Sequence, residues 1–173
     1  MKLIHEDIVT DNQANFIEKV KIISKALSID ANWLMQIMYS ESRINPKAVN
    51  PFSEAVGLIQ FMPSTAQSLG TATDELLLMS NLAQLDFVYK YLRPFAGKIN
   101  SYIDLYFSIF FPLAINKPLE WIFQAKNLAA SLVAQQNPAF DLNHDGVLTV
   151  AEVQEAMLNF IPKDWKLFFK KKV

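Results

Sequence analysis

Two acidic positions stand out for the chemistry that their spacing permits. In "IDANWLMQIMYSE", Trp33, Leu34, Ile37 and Met38 fall on one stripe at helical spacing. Glu41 lies four residues past Ile37 and three past Met38, on that same stripe. One reading gives it an exposed helix end and an ordinary ion pair with Arg43 or a lysine, because carboxylates are seldom buried without reason. The other sets it among apolar walls that disfavour its charged form, so that it holds a proton near neutral pH and acts as a general acid, as glycosidases require at the departing sugar oxygen. The second position is the stretch "DLNHDGVLTVAE", which puts Asp141, Asn143 and Asp145 at loop positions 1, 3 and 5, Gly146 at 6 and Glu152 at 12. This is the oxygen-donor pattern of an EF-hand calcium loop, completed by the Val147 carbonyl, by Thr149 directly or through water, and by both oxygens of Glu152. Its bland alternative is an acidic turn before a helix capped by Thr149. His144, at a non-ligand position, reads as an exposed loop residue.

The elements that must carry these groups are helical. Only four glycines occur, apolar residues recur at spacings of three and four, and no alternating segment appears. Phe16, Val20, Ile23 and Leu27 make residues 11 to 27 a helix with Asp11 as N-cap. The next helix starts after Asp30 and ends before Pro46. Residues 46 to 62, rich in Pro, Asn and Ser, read as an ordered loop, followed by a helix over 64 to 69 that Ser64 caps and Gly70 stops. Further helices are expected over 75 to 92, closed by Pro94 and Gly97, then over 101 to 111, over 117 to 135 with Pro118 in the first turn, and over 149 to 159. The expectation is an all-α single domain over 1 to 173.

Composition narrows the function. Sixteen Lys and Arg against seventeen Asp and Glu give a net charge of −1, which provides no global field for nucleic acid. The "KKK" run at 170 to 172 reads as a solvated tail. Without cysteine there is no disulfide framework, thiol nucleophile or Cys-based zinc site. Acidic residues and His5 interrupt "MKLIHEDIVTDNQ" before a secretory apolar region forms, and "YFSIFFPLAI" is too short to span a membrane.

The string "ESRINPKAVNPFSEAVGLIQFMPSTAQSLG" resembles the soluble lytic transglycosylase family. In that family a helix ends in Glu-Ser, an Asn-Pro loop follows, and a Gly-Leu-Met-Gln segment precedes a Met-Pro-Thr-Ala helix start. Here these elements read Glu41-Ser42, Asn45-Pro46, Gly57-Leu58-Ile59-Gln60 and Met62-Pro63-Ser64-Thr65-Ala66. The resemblance implies a lysozyme-like α-helical fold acting on the glycan strands of peptidoglycan between N-acetylmuramic acid and N-acetylglucosamine. It implies that Glu41 protonates the glycosidic oxygen and then takes the proton of the muramyl 6-hydroxyl, which closes a 1,6-anhydro ring without water. Ser42 and Gln60 are carried over as substrate-side groups, with backbone-bonded and loop-locking roles as their alternatives. Gly57 reads as a position that a Cβ would block.

The family's later Ala-Tyr-Asn segment has no counterpart. Its region here is "SYIDLYFSIFFPLAINKP", where Tyr102 or Tyr106 is the candidate phenol, Tyr106 being taken as a substrate contact; ordinary helix core is the competing assignment. The segment "DLYFSIFFP" is closer to divergent phage-associated domains, which implies delivery with a phage or by a dedicated secretion machine. Two rivals stay open: a goose-type muramidase, for which Glu54, Asp74 or Glu75 would have to position a water, and a non-catalytic glycan-binding or phage structural domain. Some lytic transglycosylases carry a single EF-hand-like site, so one structural Ca2+ is compatible with the resemblance. With no second loop in the chain, a structural ion is favoured over a sensor pair.

Overall fold

The computed structural model describes residues 2–169, so the basic run at 170 to 172 lies outside them. Eight α-helices are present among the described residues: α1 (Gln13–Leu27), α2 (Ala31–Ser42), α3 (Pro63–Ser68), α4 (Thr73–Leu78), α5 (Asn81–Leu92), α6 (Tyr102–Phe110), α7 (Ala130–Gln136) and α8 (Val150–Asn159). Four 3-10 segments accompany them, one before α1, two between helices and one after α8, and among the described residues extended backbone pairs only at isolated bridges. The expected all-α class holds. No described helix is long and apolar enough to cross a membrane.

The chain gathers into two compact units, Met1–Gly97 and Lys98–Val173. In the first, α1 packs on α2 and α5. Its core is built from the predicted stripe of α1, where Phe16, Val20, Ile23 and Leu27 are buried, and from the α2 stripe of Trp33, Leu34, Ile37 and Met38. In the second, buried Phe107 and Phe123 belong to an aromatic cluster with the half-buried Phe110, Phe111 and Trp121, the rings meeting edge to face or tilted at 5.4–6.1 Å between centroids.

Several boundaries differ from those expected. Asn12, in left-handed backbone and without a side-chain bond, precedes α1 in place of Asp11. Pro63 opens α3 with Met62 at its N-cap, so Ser64 is inside the helix and caps nothing. The single helix expected over 75 to 92 is two, because Met79 and Ser80 are extended and the Ser80 hydroxyl caps the Ala83 N–H to start α5. The largest difference is at 117 to 135, where only Ala130–Gln136 is helical. The preceding stretch is held extended by Phe123 N–H to Leu148 C=O at 2.9 Å and Val150 N–H to Trp121 C=O at 3.0 Å. A pairing partner distant in sequence overrides local helical spacing there.

Candidate active site

Glu41 is the penultimate residue of α2, with buried Ile37 and Met38 one turn behind it. Its side of the helix is partly open, yet the surrounding protein removes enough water to push its pKa up to about 7. Among the described residues the carboxylate has no hydrogen-bond or ion-pair partner. The proposed pairing with Arg43 does not form. The Arg43 guanidinium lies over the Tyr39 ring at 4.4 Å, and His5 stacks on the same ring at 3.8 Å.

The helix stops immediately after the acid. Arg43 and Ile44 both adopt left-handed backbone, with φ of 58° and 60°, and their N–H groups bond to Tyr39 and Met38 carbonyls. A β-branched residue in that region is strained. The buried Ile44 side chain and the chain-reversing bonds hold it there, and they turn the backbone straight into the Asn45-Pro46 loop.

That loop is ordered by three devices. Val56 and Phe61 exchange both backbone hydrogen bonds, at 3.0 and 2.8 Å, and so close the turn Gly57-Leu58-Ile59-Gln60. Ser42 Oγ lies 3.0 Å from both Met38 O and Leu58 O, which ties the end of α2 to the turn; the residue is only 8% exposed. The third device is Gln84 of α5, fully buried. Its Oε1 accepts from Leu58 N–H at 3.0 Å, and its Nε2 donates to Pro46 O and Leu76 O, both at 2.7 Å. Gly57 faces this amide at φ +76°, and a Cβ there would stand 2.5 Å from Gln84 Oε1. The glycine thus serves both a left-handed turn and a close approach. Gln60 Nε2 donates to Gly57 O at 3.2 Å, while its side chain remains partly open.

Of the other acids considered, Glu75 accepts from Thr71 Oγ1 and Ala72 N–H at the start of α4, and Glu54 and Asp74 are exposed. Tyr102 and Tyr106 belong to the second unit. Tyr102 is buried against Phe169, and Tyr106 stacks on Phe110 at 5.4 Å with Phe140 at its edge. Sequence reasoning overlooked Tyr91. Its phenol lies in the same unit as Glu41, packs against Phe61 and Phe95, and has a raised pKa, first from burial and then from the Glu41 charge. Spacing alone places Tyr91 seven residues beyond Gln84 on the face of α5 that also carries Val88, but does not show that this face meets Glu41.

The site thus combines a proton-holding acid at a helix end, a rigid turn bonded to that end and a tyrosine within its electrostatic reach. The model of the transglycosylase SLT domain matches residues 18–106, just over half of the chain. The chain belongs to the transglycosylase SLT-domain family. No curated protein and no solved structure matches it. The matched stretch includes Glu41, Gly57, Gln84 and Tyr91 and excludes the acidic loop at 141–152.

Proposed function

We propose that the chain is a peptidoglycan lytic transglycosylase in which Glu41 acts alone as acid and then as base. The protonated carboxyl gives its proton to the glycosidic oxygen as the bond to the muramyl anomeric carbon breaks, and N-acetylglucosamine departs as an alcohol. The carboxylate then takes the proton of the muramyl 6-hydroxyl as that oxygen bonds to the anomeric carbon. Glu41 ends as it began, and no water enters. The observation that carries this reading is a solitary, desolvated carboxyl with its pKa near 7, able to give and to retake a proton at neutral pH. An inverting or retaining hydrolase uses two carboxyl groups, and the other acids considered are either exposed or engaged in helix capping.

Within this reading, the Gly57–Gln60 turn presents backbone and amide groups to the sugars, and Tyr91 interacts with the charge that Glu41 acquires after the first transfer. Tyr106 remains a candidate sugar contact. The protein acts at the cell wall, and a phage or a dedicated secretion machine accounts for its delivery. The test is product analysis on purified sacculi. The expected product carries a 1,6-anhydromuramyl end; a reducing end identifies a muramidase with Glu54, Asp74 or Glu75 aiding water. No release from either wild type or Glu41→Gln leaves the non-catalytic glycan-binding reading, and equal release from both removes Glu41 from the chemistry.

A further inference from the structure

Outside the acid's surroundings, the described structure leaves two oxygens of the 141–152 loop unexplained. Glu152 is 8% exposed, and its Oε2 accepts from Thr149 N–H at 2.9 Å and from Thr149 Oγ1 at 2.7 Å. The other oxygen of that carboxylate, Oε1, is buried without a hydrogen-bond partner. At the loop's other end, Asp141 Oδ2 accepts from Gly146 N–H at 3.1 Å, while Asp141 Oδ1 is likewise buried and unpartnered. A buried carboxylate oxygen left without a donor is costly, and the first and last positions of one twelve-residue loop each carry one.

The intervening backbone turns sharply. Gly146 sits at φ +82°, Asn143 Oδ1 accepts from Asp145 N–H at 2.9 Å, and Asp145 Oδ1 accepts from Val147 N–H at 3.0 Å. Oxygen donors alone, without sulfur or imidazole, select a hard cation, and a donor set of this size and flexibility suits calcium over magnesium. Among the described residues no three His, Cys, Asp or Glu side chains already stand together as a metal cage. The loop must therefore close on its ion, and that reorganisation weakens binding.

We propose that this loop binds one Ca2+ through Asp141, Asn143, Asp145, the Val147 carbonyl, Thr149 and Glu152, and that the ion anchors α8 within the Lys98–Val173 unit. The loop's second half is already clamped: Leu148 C=O and Val150 N–H pair with Phe123 and Trp121 of the aromatic cluster, and Ala151 N–H bonds Leu119 C=O. One side of α8, through Val150, Gln154 and Leu158, lines a cavity of about 710 Å³.

The test is calorimetric titration of the full chain with CaCl2, with MgCl2 in parallel, together with melting curves. The expected dissociation constant is on the order of 10⁻⁴ M, in the range of weaker extracellular calcium modules. Saturating Ca2+ is expected to raise Tm by about 5 °C, reversibly on chelation. Glu152→Gln keeps the capping geometry that a glutamine also provides but is expected to lose at least about tenfold in affinity, as is Asp141→Asn. No binding heat and an unchanged Tm at about 10 mM Ca2+, wild-type affinity in Glu152→Gln, or an equal response to Mg2+ would each overturn the proposal. If both variants fail to fold, the wild-type titration decides.

Discussion

Glu41 and Glu152 are both partly or largely withdrawn from water, and they sit at opposite ends of their helices. Glu41 is one residue from the end of α2, where neighbouring peptide groups present carbonyls; Glu152 is in the first turn of α8, where they present N–H groups. One end repels an anion and the other welcomes it. Burial at the unwelcoming end yields a carboxyl that keeps its proton to about pH 7. At the welcoming end the same side chain caps its helix through Thr149 and keeps one buried oxygen without a hydrogen-bond partner, the oxygen on which the calcium proposal rests. The same residue type is thus fitted for proton exchange in one place and for holding structure in the other.

The largest expected effect separates them by activity. Glu41→Gln should lower the release of muropeptides from sacculi by a factor of about 10²–10⁴, the usual contribution of a positioned acid or base. Wild-type activity should fall as pH rises past about 7, the pKa of the acid. A variant retaining wild-type turnover would remove Glu41 from the chemistry altogether.

How much of this was legible in the sequence follows from which interactions are local. The α2 stripe, the position of Glu41 and the Thr149 cap after the acidic loop depend on neighbours within one or two turns, and the spacing revealed them. The pairing of Trp121–Phe123 with Leu148–Val150 joins segments more than twenty residues apart and cancelled a helix that spacing favoured. The break at Met79–Ser80 turns on one hydroxyl that competes for a helix start. Gln84 looked like one more polar residue on a helix, because nothing local shows that Pro46, Leu58 and Leu76 converge on its amide. The resemblance led to Ser42 and Gln60, whereas Tyr91 required knowing which face of α5 meets the Glu41 neighbourhood.

Next in size is the frame that holds the first glutamate. Gln84→Ala leaves Leu58 N–H and the Pro46 and Leu76 carbonyls unmatched and should cost about 3 kcal/mol in denaturant unfolding. A cost below about 0.5 kcal/mol would mean that the turn below Glu41 is held by other means.

A smaller effect has the opposite sign. The folded-state pKa of Glu41 lies above its ordinary value, so the folded protein binds more protons than the unfolded chain between about pH 4.5 and 7. Its ionisation therefore costs stability as pH rises through this window. Glu41→Gln should stabilise the protein at pH 8 by about 1–3 kcal/mol and change little at pH 4. Glu152→Gln in saturating Ca2+ should destabilise instead. Matching signs for the two variants would break the contrast between them.

The finest effect is spectroscopic. Because the Glu41 charge helps to raise the Tyr91 phenol, Glu41→Gln should bring Tyr91 ionisation to lower pH in ultraviolet titration. The phenol should still titrate above its ordinary range, since burial is the larger cause. An unmoved titration would place the two groups beyond electrical contact.

The three-way grip of Gln84 also has a consequence in time. Residues 46 to 62 contain no helix or sheet, and such segments ordinarily open piecemeal. Here one side chain holds the Leu58 amide and the carbonyls of Pro46 and Leu76, so a rotation of Gln84 out of its place frees all three segments together. In hydrogen-exchange terms the turn, the Asn-Pro bend and the end of α4 are expected to open together, as one cooperative unit.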